Sequence, residues 1–165
     1  MLHHVSVGVA DLARALRFYD ATLGALGYKR VMEFMPYAVA YGETAPSFWV
    51  QLPHDQKAAS NGNGTHIGFT AKNQKAVHAF HTAALSEGGS DEGAPGQRPE
   101  YSPNYYGAFV RDLDGNKLEA VYFEVAAAKP KSKAKPARKA AAKRTSAPKK
   151  TASRKKSVKK RARRR

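Results

Sequence analysis

An internal repeat constrains this chain more than any other feature. Residues 4–28 align without a gap on residues 66–90 at an offset of 62, which places His4 on His66, Val5 on Ile67, Val7 on Phe69, Asp11 on Asn73, Phe18 on Phe80, Leu23 on Leu85 and Gly27 on Gly89. In the first copy Val5, Val7 and Val9 alternate with His4, Ser6 and Gly8, the period of a strand with one apolar face. Ile67, Phe69 and Ala71 alternate with His66, Gly68 and Thr70 in the second. Asp11 and Asn73 then stand where a helix N-cap belongs, because a short polar side chain there can accept the first free amide hydrogens. The helix after Asp11 carries an apolar stripe of Leu12, Leu16, Tyr19, Leu23 and Leu26, and the helix after Asn73 a weaker one of Val77, Phe80, Ala84 and Leu85.

Strand-like runs follow each helix, near residues 28–34, 37–42 and 47–52 in the first copy and near 104–111 and 117–124 in the second. The chain is therefore expected to be α+β, a pair of βαβββ modules. Residues 53–64, ending in Asn61-Gly62-Asn63-Gly64, read as the link between modules, and Asp112-Leu113-Asp114-Gly115-Asn116 as a hairpin turn before the last strand. The segment 90–103 holds glycine and proline and has no legible strand pattern. The expected organisation is one domain over residues 1–126, with modules at about 1–53 and 65–126, and a separate tail over 127–165.

Charge separates the two parts. From Lys129 onward there are 19 of the 29 Lys and Arg residues and none of the 13 acids, so the body is weakly acidic and the tail strongly basic. The tail has no aromatic residue and a single branched aliphatic, Val158, so it is expected to be disordered. Cysteine is absent, which excludes disulfides, thiolate zinc sites and thiol catalysis and leaves histidine and carboxylate as metal donors. With no apolar leader and no run of membrane-spanning length, the expected location is the cytoplasm, without a membrane partner.

Strand parity also nominates the chemistry. His4 and His66 lie opposite the apolar sets of their strands, and in the last strand Lys117, Glu119 and Val121 lie opposite Leu118, Ala120 and Tyr122. Two imidazoles and one carboxylate directed to a common face form the donor set of a divalent metal site with open positions. A histidine is ordinarily a surface or hydrogen-bonded residue, and His54, His78 and His81, in a loop or on a helix, are left as structural. His3 shares the parity of the valines and is the weaker candidate. Matched positions in two copies are what set His4 and His66 apart.

The segments His4-Val5-Ser6-Val7-Gly8-Val9-Ala10-Asp11 with Phe18-Tyr19, His66-Ile67-Gly68-Phe69, and Asp112 through Glu119 resemble the vicinal-oxygen-chelate superfamily of glyoxalases, extradiol dioxygenases, fosfomycin-resistance enzymes and bleomycin-resistance proteins. The resemblance spans residues 2 to about 125. It implies an open, curved mixed sheet from paired βαβββ modules around a metal cleft, with His4, His66 and Glu119 at three ligand positions for a divalent metal such as Fe, Mn, Ni or Zn. It also implies a homodimer, with swapped and unswapped module pairing both open. The fourth position departs from glyoxalase: where that enzyme has a carboxylate, this chain has Phe48-Trp49-Val50-Gln51-Leu52, so Trp49 and Gln51 face the cleft as pocket residues or as ordinary strand residues. The obvious base for a glyoxalase-type proton transfer is thereby missing. Arg98, Tyr101, Tyr105 and Tyr106 lie around the expected cleft. Tyr106 is the first candidate to orient or protonate a bound oxygen and Arg98 to hold a carboxylate, although tyrosine is also a common core residue.

Three functions follow as expectations. The leading one is a metal-dependent lyase or dioxygenase acting on a small oxygenated molecule. A second is a binding protein of the bleomycin-resistance kind, with no catalysis. A third is a nucleic-acid-associated protein, in which residues 129–165 bind phosphate backbones without sequence preference and draw the body to nucleoid or RNA.

Overall fold

Each copy of the repeat folds into a strand, a helix and three further strands. The computed structural model describes residues 2–124, which lie within one compact unit, Met1–Ala128. The basic tail of residues 127–165 lies outside the described residues. The first module runs β1 (Val5–Gly8), α1 (Leu12–Leu26), β2 (Lys29–Phe34), β3 (Ala38–Gly42) and β4 (Phe48–Gln51), and the second β5 (His66–Thr70), α2 (Gln74–Ser86), β6 (Ser90–Gln97), β7 (Tyr105–Arg111) and β8 (Lys117–Phe123). The two sheets have the same order, β1-β4-β3-β2 and β5-β8-β7-β6. In both, the first strand is parallel to the last and the remaining pairs are antiparallel.

The helices start at the expected caps. Asp11 Oδ1 accepts from Arg14 N at 3.0 Å and Asn73 Oδ1 from Ala76 N at 2.9 Å. The α1 stripe is buried throughout, but in α2 only Val77, Phe80 and Ala84 are; Leu85 is 41% exposed. The two copies also end their helices differently. Gly27 closes α1 in the left-handed region at φ 94°, whereas α2 stops at Glu87 and the left-handed residue is Gly88. Gly89, the repeat partner of Gly27, is needed for a different reason: a Cβ there would lie 2.7 Å from Arg111 O and 2.8 Å from Phe18 Cε2.

Segment 90–103 contains β6, which the sequence pattern did not reveal. It pairs with β7 through two register shifts, and Gly93, at φ 156°, bounds both, so the strand's side chains lack the alternation that marks a regular strand. The core is the layer between the helices and one face of each sheet, with Val7, Val9, Val39, Tyr41, Phe48, Val50, Phe69, Ala108, Val110, Leu118 and Ala120 from the strands. The Asp112–Asn116 turn joins β7 to β8 and also clasps the first module. Asp112, buried at 6% exposure, accepts from Tyr19 Oη at 2.6 Å, while Asn116 Nδ2 donates to Gly8 O and Arg14 pairs with Asp114.

Candidate functional site

The open face of the second sheet, turned away from α2, collects the chemistry. His66 stands opposite Lys117 and Gly68 opposite Glu119 across β5 and β8, while Phe109 stands opposite Glu119 across β7 and β8. Directly paired residues point to the same side, so His66, Lys117, Glu119 and Phe109 share one surface. His66 Nε2 lies 3.2 Å from Glu119 Oε2, and Tyr105 Oη donates to Glu119 Oε1. Glycine makes room for this carboxylate: a Cβ at Gly107 would stand 3.1 Å from Oε1 and one at Gly68 3.4 Å from Oε2. Glu119 is 2% exposed although it faces away from the core, because Tyr105, Phe109 and His66 surround it. Burial, followed by the hydrogen bond to Glu119, pushes the Tyr105 phenol well up from its ordinary value.

Cations surround Phe109. Lys117 Nζ lies 5.3 Å and Arg98 Cζ 5.8 Å from the ring centroid, and the His66 ring meets it edge-on at 6.2 Å. Glu92 takes Arg111 Nε at 2.7 Å and Lys117 Nζ at 3.2 Å, and these two partners, Arg111 first, hold its carboxyl below the usual range. Among the described residues the Arg98 guanidinium donates only to the backbone, to Ala94 O at 2.8 Å and Gln97 O at 3.2 Å.

The expected site residues are brought together in part. His66 and Glu119 meet. His4 does not join them: it is exposed just before β1, its Nδ1 2.8 Å from His3 Nδ1, and no group of three or more His, Asp or Glu side chains among the described residues is placed to hold a metal ion. Trp49 and Gln51 face away from the core on the first sheet, whereas the His66–Glu119 pair is on the second. Trp49 stacks on Phe34, and Gln51 lines a cavity of about 780 Å³ with Tyr37, His54 and Lys57. Arg98 lies on the Phe109 side. Tyr106 lies on the helix-packed side, against the core, with its hydroxyl 2.7 Å from His78 Nε2. The phenol beside the carboxylate belongs to its neighbour, Tyr105. Counting back from the 112–116 turn sets Arg111 against Lys117 and Phe109 against Glu119, so the odd residues of β7 share the Glu119 face. That count was available from sequence.

A pair of βαβββ modules carrying an imidazole and a buried carboxylate on the open face of one sheet defines the class of small cleft-bearing α+β proteins to which the repeat pointed. The chain belongs to the Glyoxalase/Bleomycin resistance protein/Dioxygenase superfamily, whose sequence profile matches residues 1–120. A glyoxalase/bleomycin resistance protein from Albidiferax ferrireducens T118 has a similar structure, with 37% identity and a TM-score of 0.69, over 75% of this chain and 99% of that one. At 18% and 17% identity, a glyoxalase-related enzyme from Fulvimarina pelagi and a glyoxalase/bleomycin resistance protein/dioxygenase family enzyme from Burkholderia phytofirmans PsJN share the fold, each with a TM-score of 0.58. They cover 73% and 74% of this chain and 86% and 98% of their own. No curated protein matches the chain.

Proposed function

We propose that the chain is a metal-dependent enzyme acting on a small oxygenated molecule, with His66 and Glu119 as ligands from one chain and His4 supplied by a second copy. Glu119 carries this reading. It is a carboxylate with 2% exposure whose side-chain partners are a phenol and an imidazole, with no Lys or Arg paired to it among the described residues. A buried anion with only such partners is costly, and a cation at its open side offsets the cost. One nitrogen and one oxygen donor 3.2 Å apart fit a divalent ion such as Fe, Mn, Ni or Zn. Such an ion would polarise a chelating substrate or activate oxygen. Tyr105 would keep the carboxylate oriented, and Phe109 and Tyr101 would wall the cleft. Support for a second copy comes from the first sheet's apolar edge, where Met32, Phe34, Met35 and Tyr37 are 41% to 67% exposed.

The test is elemental analysis of protein expressed with added divalent metals. About one ion per chain is expected, lost in His66→Ala and in His4→Ala and regained in part when those two variants are mixed, since the mixed dimer would have one intact set. Wild-type protein without stoichiometric metal would favour a second reading, a binding protein without catalysis. Its support is that Tyr105 and His66 already occupy both oxygens of Glu119. A further property, nucleic-acid association through residues 129–165, rests on charge alone.

A further inference from the structure

The charge balance of the second sheet's open face is unequal. Arg98, Arg111 and Lys117 approach the Phe109 and Glu92 region, and Glu92 is shared between Arg111 and Lys117. Arg98 is left with two backbone carbonyls and an aromatic face, and among the described residues no carboxylate lies within ion-pair distance of it. Its guanidinium is held in place: Nη2 is fixed on Ala94 O, and its backbone N–H donates to Tyr105 O at 2.9 Å. A positioned cation without a counter-charge is a preformed receptor for an oxyanion, and Arg98, although it does not itself line the neighbouring cleft, stands over the Phe109 ring that does. The cleft itself, about 490 Å³, is lined by His66, Lys117, Arg111, Phe109 and Tyr101 together with the 61–65 loop. Its walls combine cations with two aromatic rings.

We infer that the ligand of this site is a small organic acid, bound with its oxyanion toward Arg98 and Lys117 and its apolar body against Phe109 and Tyr101. This deepens the metal reading by giving its substrate a charge, and it rests on that reading for the role of the second oxygen at His66–Glu119. Glu92 favours a cationic ligand less than its charge suggests, since Arg111 and Lys117 already engage it, and Glu119 belongs to the proposed metal.

Calorimetric titration of the full chain with benzoate and with benzyl alcohol, its neutral counterpart, tests the inference. Working at about 0.3 M NaCl suppresses the diffuse attraction of the tail, which is in any case the same in every variant. Benzoate should bind at least tenfold more tightly than benzyl alcohol. Arg98→Gln should weaken benzoate about tenfold and leave benzyl alcohol unchanged, and Arg98→Lys, which keeps the charge, should recover most of the loss. Lys117→Gln provides an independent variant in which the Arg98 backbone contacts stay intact, and it should also weaken benzoate selectively. Equal binding of the two probes, no benzoate binding, or benzoate binding indifferent to both residues would overturn the inference. Metal content is measured on the same samples. Acid binding without metal would leave the anion site standing and remove the metal reading; stoichiometric metal without acid selectivity would do the reverse.

Discussion

Replacing Tyr105 by Phe takes the donor away from Glu119 Oε1 and changes little else, because the ring keeps its edge-on contacts with Tyr101 and Phe123. Oε1 of the buried carboxylate then lacks its donor while Oε2 keeps His66, and chemical denaturation should show a loss of about 1–3 kcal/mol. Tyr106→Phe, which cuts only a bond to His78 on an exposed helix face, should cost less than about 1 kcal/mol. Tyrosine ionisation provides a second residue-scale test. Burial first, and then the carboxylates of Asp112, Asp20 and Glu119 respectively, holds the Tyr19, Tyr41 and Tyr105 phenols above their ordinary value of 10.0. A group whose folded pKa is raised contributes stability that is whole below the unfolded pKa and is lost as pH rises through the folded one. Stability should therefore decline above pH 10, and absorbance titration should find these three of the eight tyrosines, with Tyr28, whose phenol burial also raises, ionising late.

At the scale of elements, two glycines, one on α1 and one just after α2, make opposite predictions. Gly24, exposed in the last turns of α1, has nothing within 4 Å of a Cβ, so Gly24→Ala should stabilise by about 0.5–1 kcal/mol through helix propensity. Gly89 is enclosed by Arg111 O, Phe18 Cε2 and Ala84 O at 2.7–2.9 Å, so Gly89→Ala must push α1 away from the second module and should lower the melting temperature. Thermal unfolding of both variants checks the pair. The caps and helices were legible because their signals are local: an Asp or Asn side chain finds an amide three residues on, and an apolar stripe repeats each turn. Strand β6 was not legible, because Ser90–Gln97 pairs through its backbone across two register shifts and leaves no alternating pattern in its side chains. Leu85 was misread for a related reason. Repeat equivalence to the buried Leu23 does not fix the angle at which α2 meets its sheet, and there Ala84 is the buried residue.

For the whole molecule, the clasp around Asp112 is what a repeat alone does not announce. Asp112→Ala would leave Tyr19 Oη and Asn116 Nδ2 without that acceptor between the modules, and a loss of about 2–4 kcal/mol is expected in urea unfolding. A double-mutant cycle with Tyr19→Phe should show coupling of more than about 0.5 kcal/mol. The basic tail belongs to the same scale. The full chain should retard duplex DNA at low salt without sequence preference, with steep weakening as salt rises, and ending the chain at Ala128 should abolish the effect. Equal retardation by the shortened protein would show that the body, not the tail, binds.

By itself the sequence determined the repeated strand and helix of the two modules, their caps, the faces of their regular strands and the superfamily, because each is written in residue types at fixed positions. Parity also placed His66 and Glu119 on one surface. Tertiary structure alone decided that these two meet while His4 stays apart, that the Tyr105 hydroxyl reaches the carboxylate, and that Arg98 faces Phe109 with no counter-charge among the described residues. Periodicity fixes the side of a strand on which a group lies, whereas distance across a sheet depends on how the sheets and helices pack, and packing is a property of the whole set of contacts.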